Sequence, residues 1–153
     1  MPKLRHSKTQ AYAYFITTRI LEENRIFSDC NLAQIVMDII LFGRREGWYY
    51  LYAFVVMPDH MHLELTPKGK TVSEIMKSLK GFSSWKINKA FEKSGTLWQK
   101  GYMDFPVYQS EVAWQKINYI EENPVRAGLV KNAIDYPFSS AKMHDILDIG
   151  LLA

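Results

Sequence analysis

Val55-Val56-Met57-Pro58-Asp59-His60-Met61-His62-Leu63-Glu64-Leu65 reads as an apolar strand, a Pro-Asp turn and a returning strand. Strand side chains alternate between faces, so His60 and His62 point the same way, with Glu64 and Thr66 in line behind them. Met61, Leu63 and Leu65 point the other way, into a core. Two imidazoles side by side on a rigid strand suit a divalent cation, which needs a third ligand from elsewhere in the chain.

Working outward from this hairpin, Trp48 to Met57 is a strand rich in Tyr, Phe and Val, and His60 to Thr66 is its antiparallel neighbour. Ala11 to Thr18 is an earlier strand, apolar on both faces and therefore central. Arg19 to Asp29 reads as a loop. Asn31 is placed to cap a helix reaching about Arg45, with Leu32, Ile35, Val36, Ile39, Ile40 and Phe42 on its apolar stripe. After the Pro67–Lys70 loop, Thr71 or Ser73 opens a second helix with Glu74 in its first turn and Ile75, Met76, Leu79, Phe82, Ile87 and Phe91 on its apolar side. Gly95 to Val107 reads as a fourth strand or extended segment. Glu111 to Glu122 is a helix that Pro124 is expected to halt. Val125 to Val130 then reads as a further short helix ended by glycine, and Met143 to Leu152 as a last short helix. The order predicts an α+β fold of the ferredoxin-like, split βαβ kind. Two helices would cover one face of an antiparallel sheet, and the helix bearing Tyr119 would lie apart from them.

The 153 residues are read as one domain, 1–153, with a loose basic arm at 1–10. Hydrophobic content of 48% and aromatic content of 14% fit a packed protein. The net charge of +3 and pI of about 8.9 permit a polyanionic partner without requiring one. Cys30 is the only cysteine, which excludes an internal disulfide and fits a reducing cytoplasm. No secretory signal and no span of ~18 apolar residues is found, so no membrane partner is expected.

Tyr119 and Asn123 are four residues apart and share a helix face. The Asn123 amide oxygen is a possible third ligand beside His60 and His62, with the Tyr119 phenol next to it. The same spacing also fits a packing tyrosine and a helix-ending asparagine. Lys77, Lys80, Lys86 and Lys89 read as a solvated helix face, with Lys80 and Lys86 alternatively on a phosphate-binding rim.

Four stretches together carry a resemblance. His60-Met61-His62, after Val56-Met57-Pro58-Asp59, resembles the histidine-hydrophobe-histidine (HUH) motif of single-tyrosine transposases. Tyr119 to Val130 resembles their tyrosine-bearing helix, and is most similar to the REP-associated tyrosine transposases, which act on palindromic repeats. Leu97 to Tyr102 and Tyr136 to Ala141 are similar to that branch as well. The resemblance runs from about Tyr12 to Ala141. It implies that Tyr119 is the nucleophile and that His60, His62 and Asn123 bind Mg²⁺ or Mn²⁺. It also implies a ferredoxin-like sheet, in agreement with the strand and helix order.

A tyrosine hydroxyl is mostly protonated at neutral pH and needs a nearby charge or base to attack phosphorus. A divalent ion would polarise the scissile phosphate. The resemblance implies single-stranded DNA near a hairpin as substrate, a 5′-phosphotyrosine intermediate and a released 3′-OH. It implies a monomer acting in cis, although related dimers place the tyrosine in the partner's site. Two departures stand out. Glu64 occupies a position usually apolar in the family, and reads as a ligand, a group orienting an imidazole, or a carboxylate at the sheet's open edge. Met103 lies where relatives often carry histidine.

For DNA contacts, Arg126 is the leading candidate because it directly follows the tyrosine helix. Arg19, Arg44, Arg45, Lys80, Lys86 and Lys100 are further phosphate candidates, and Trp98, Tyr102 and Tyr108 are candidates for base stacking. The rival readings are a catalytically silent nucleic-acid-binding module and a metal-dependent phosphodiester hydrolase with no covalent step.

Overall fold

The strand–helix alternation seen in the sequence is realised in a computed structural model, which describes residues 11–21 and 25–152. The expected arm at 1–10 lies outside them. The elements follow in the order β1 (Ala13–Arg19), α1 (Cys30–Arg45), β2 (Tyr49–Met57), β3 (His60–Pro67), α2 (Val72–Ala90), β4 (Met103–Val107) and α3 (Ser110–Arg126). The sheet order is β2-β3-β1-β4, and every neighbouring pair is antiparallel. This is the expected ferredoxin-like arrangement, with β3 and β1 in the middle.

The β2–β3 hairpin turns on Pro58 and Asp59, which brings Met57 opposite His60 and Val55 opposite His62. Nearly all of β2 is buried, because both sheet faces are covered. On one face Leu51, Phe54, Met61, Leu63 and Leu65 join α1 and α2 in the larger core. On the other, Tyr52, Ala53, Val55 and Met57 pack with Ala113, Ile117 and Ile120 of α3. A register shift between Leu51 and Ala53 inserts Tyr52 as an extra residue. Tyr52 and Ala53 therefore both belong to the α3-side core.

Local chemistry sets the helix ends. The Asp29 carboxylate accepts from the Asn31 N–H at 2.9 Å, so Asp29, not Asn31, caps α1. Thr71 and Glu74 form a reciprocal capping box at the start of α2. The expected stop at Pro124 is not found: α3 continues to Arg126. Gly128, at φ 76°, closes the helix, with Leu129 N–H bonded to Pro124 O at 2.9 Å and Gly128 N–H to Val125 O at 3.0 Å. The pre-proline bias away from helix is a preference, and this closed turn outweighs it one turn from the end.

The chain from Gly95 to Tyr102 is shorter in β-structure than expected, with an isolated bridge between Ile20 and Trp98 before β4 begins. The last helix expected at 143–152 is also absent; short 3-10 turns occupy Ser140–Lys142 and Ile149–Leu151. The reason is that this segment serves the sheet. Phe138 O accepts from Val56 N–H, Ser140 Oγ from Phe54 N–H and Asp148 from Leu51 N–H. These bonds cover the free edge of β2.

Candidate functional site

The histidines lie on the α3 side of the sheet, with ring centroids 4.7 Å apart and planes at 77°. Each is oriented through its Nδ1. His60 Nδ1 donates to Asp59 Oδ1 at 2.6 Å, and His62 Nδ1 lies 2.8 Å from Thr17 Oγ1. Thr17 is the direct cross-strand partner of His62, and Arg19 that of His60. Both Nε2 atoms are thereby left to a ligand, and a hydrogen-bonded Nδ1 is the usual support of a metal-binding imidazole.

Burial holds both rings below the usual histidine range. For His60 the Asp59 contact opposes burial without cancelling it. For His62, burial together with the positive charges of His60, Arg19 and Arg126 pushes the value down to about 3. Burial raises Asp59, but its bond to His60 and the charges of His60 and Arg19 win, so it stays below the ordinary carboxylate range. The imidazoles are thus neutral, as a cation requires.

Helix α3 brings the phenol to this pair. The Tyr119 ring lies 5.7 Å from His62 at 70°, and 44% of the residue remains exposed. Phe15 stacks on His62 at 5.3 Å and meets the Tyr119 ring edge at 5.8 Å. The Arg126 guanidinium sits 4.4 Å over the Tyr119 ring and donates to the Tyr119 carbonyl. Asn123, half-buried, lies one turn further along α3. The helix is tied to the C-terminal segment by Glu121, whose carboxylate accepts from Ser140 Oγ at 2.6 Å and contacts His144 Nε2 at 2.8 Å.

Among the described residues no group of three or more His, Cys, Asp or Glu side chains is placed to hold a metal. Two neutral imidazoles with free Nε2 atoms nevertheless fit a divalent cation, provided that the third donor is of another kind, such as an amide oxygen.

Glu64 is not at an open sheet edge. It is fully buried on β3 between Phe15 and Ala53, and neither carboxylate oxygen has a hydrogen-bond partner. Burial pushes its carboxyl up to about 9, against the pull of Lys116. The Lys116 ammonium itself lies over the Phe15 and Phe105 rings, 4.9 and 4.7 Å from their centroids.

The remaining candidates separate clearly. Trp98 is 1% exposed, donates its indole N–H to Ser83 Oγ at 2.9 Å and packs on Phe27, so it has no free face for a base. The Lys80 ammonium donates to the carbonyls of Gln99 and Gly101, both at 2.7 Å, and fastens that segment to α2. Arg44 forms a two-toothed ion pair with Asp148. Lys86, Lys100, Arg126 and Tyr108 are exposed. Met103, exposed, stands opposite Thr17 on β4. The orienting pair Thr17 and Asp59 escaped the sequence reading. Asp59 was visible beside His60, whereas Thr17 depends on strand register.

The chain is similar to several known proteins. Residues 8–123 match the family described as "Transposase IS200 like". The chain is 30% identical over 113 residues to the REP-associated tyrosine transposase of Escherichia coli K12, covering 70% of this chain and 63% of that protein. A solved REP-associated tyrosine transposase bound to a REP hairpin superposes with a TM-score of 0.73 at 22% identity, over 93% of this chain and 84% of the other. A crystal structure from Deinococcus radiodurans R1, described as that of a "putative transposase", gives a TM-score of 0.52 at 26% identity, over 80% of this chain and 97% of the other.

Proposed function

The chain belongs to the IS200-like transposase family, and from that premise we propose that it cuts and rejoins single-stranded DNA near hairpins, with Tyr119 as the nucleophile. The observation that carries the proposal is the Tyr119 phenol beside a pair of neutral, pre-oriented histidines. Tyr119 Oη attacks the scissile phosphorus and the P–O3′ bond breaks. A 5′-phosphotyrosine forms; the phenol gives up its proton and the departing 3′ oxygen takes one up, so the strand leaves as a 3′-OH. The phosphodiester's energy stays in the linkage, so rejoining needs no nucleotide cofactor.

His60 and His62, with the Asn123 amide oxygen, would hold Mg²⁺ or Mn²⁺. The ion supplies charge that offsets the phosphate's developing negative charge. Thr17 and Asp59 keep the two imidazoles turned with Nε2 outward. Arg126 holds the Tyr119 ring from above, and its guanidinium offers a positive charge to the phosphate. Phe15 fixes His62 and Tyr119 against one another. The hairpin preference is supported by the REP-associated relatives.

The test incubates end-labelled, hairpin-flanked single-stranded DNA with the chain and Mn²⁺, followed by denaturing electrophoresis. A slow-migrating protein–DNA adduct is expected, and Tyr119→Phe should abolish it. Cleavage that persists in Tyr119→Phe without an adduct would favour a hydrolase. Binding without cleavage under any divalent ion would favour a silent binding module.

A further inference from the structure

We propose that single-stranded DNA leaving the histidine pair follows a basic track to helix α2, where its unpaired bases stack on Phe82 and Trp85. This rests on the substrate class proposed above and adds a second contact surface to it.

Three grooves make the track. The first touches Thr17 and Arg19, the cross-strand partners of the histidines. The second, about 750 Å³, lies between α2 and the 95–102 segment. The two share Gln99, Lys100, Gly101 and Tyr102, so they border the same segment from either side. The third, about 500 Å³, lies on α2 beside Phe82 and Trp85, and shares Lys77 and Gly81 with the second. No Asp or Glu is among the described residues lining any of the three.

Phe82 and Trp85 are 51% and 60% exposed. Large aromatic rings left in water beside one another are informative in a way that a lone exposed leucine is not. Trp48 stacks behind Phe82, with centroids 6.2 Å apart and planes at 17°. Cations flank the rings, with Lys70 at 5.0 Å from Trp48 and Lys89 at 4.8 Å from Trp85. Aromatic faces interleaved with lysines are the pattern that binds unpaired bases and backbone phosphates together. A second copy of this chain would bring the same lysines face to face, so nucleic acid fits the charge better.

Gly81 is an independent sign. Glycine inside a helix costs stability relative to alanine. A Cβ at position 81 would meet nothing within 4 Å, so packing within the chain does not require glycine there. It lies where the second and third grooves meet, and leaves bare backbone for close approach by a ligand.

The test uses the full chain and two labelled hairpins, with single-stranded flanks of about 16 and about 4 nucleotides. Anisotropy should show the long-flank hairpin bound about tenfold more tightly. Trp85→Ala and Gly81→Ala should each bring that ratio close to one, and leave short-flank affinity and adduct yield on the short-flank hairpin unchanged. Gly81→Ala should also raise Tm by about 3 °C, which separates lost binding from misfolding. The proposal is overturned if the ratio survives both substitutions, or if both hairpins weaken equally. It is overturned too if Trp85→Ala changes the sedimentation coefficient with no effect on the ratio, which marks a self-association surface. Absence of any adduct from the parent chain would overturn the transposase reading instead, and the affinity ratio would still judge the track.

Discussion

Replacing Glu64 with glutamine should make the protein more stable at neutral pH. The buried carboxyl has no hydrogen-bond partner and is held up to about 9, from 4.5 in an unstructured chain. At pH 7 the folded state therefore carries the neutral acid and the unfolded state the carboxylate. Folding takes up a proton. A raised carboxyl stabilises the fold fully below the unfolded value of 4.5, and that contribution is lost as pH climbs towards 9. The slope is about 1.4 kcal/mol per pH unit, so at pH 7 the loss reaches about 3 kcal/mol. Glutamine keeps the neutral shape and takes up no proton. Glu64→Gln should therefore gain up to about 3 kcal/mol at pH 7, or about 9 °C in Tm for a chain of this size. Near pH 4.5 the gain should vanish. Urea unfolding followed by far-UV circular dichroism across this range, for parent and variant, measures the difference directly. If the variant is less stable at pH 7, or the difference does not change with pH, then Glu64 is ionised and paired with Lys116 and the reasoning fails.

Other outcomes follow from the same geometry. Trp98→Phe removes the indole bond to Ser83 and should cost about 1–2 kcal/mol in chemical unfolding, with no change in affinity for single-stranded DNA. A chelator should suppress adduct formation on hairpin DNA and added Mn²⁺ should restore it, with the response lost in His62→Ala. Arg126→Ala should slow adduct formation by about tenfold or more, and Arg126→Lys should recover only part of the rate, because the flat guanidinium both covers the Tyr119 ring and donates to its carbonyl.

The hairpin was legible because its information is local. Period-two alternation placed His60 and His62 on one face, and helical spacing put Tyr119 and Asn123 on another, before any tertiary contact was considered. What depended on strand neighbours was hidden. Thr17 faces His62 through β1–β3 register, which no local pattern reveals. Glu64 looked like an edge carboxylate, yet β3 is an inner strand and α3 closes over it. Trp98 resembled a stacking residue because an aromatic in a glycine-flanked segment reads alike whether buried or exposed. Pro124 misled for a different reason: the pre-proline bias away from helix is only a preference, and α3 runs two residues past the proline before Gly128 closes it.

The most direct measurement is the identity of the residue that carries DNA. After reaction with hairpin-flanked single-stranded DNA and Mn²⁺, the adduct is digested with nuclease and protease and its peptides are sequenced by mass spectrometry. A nucleotide phosphate on Tyr119 is the expected result. A phosphate on any other residue, or strand cleavage with every tyrosine unmodified, would contradict it.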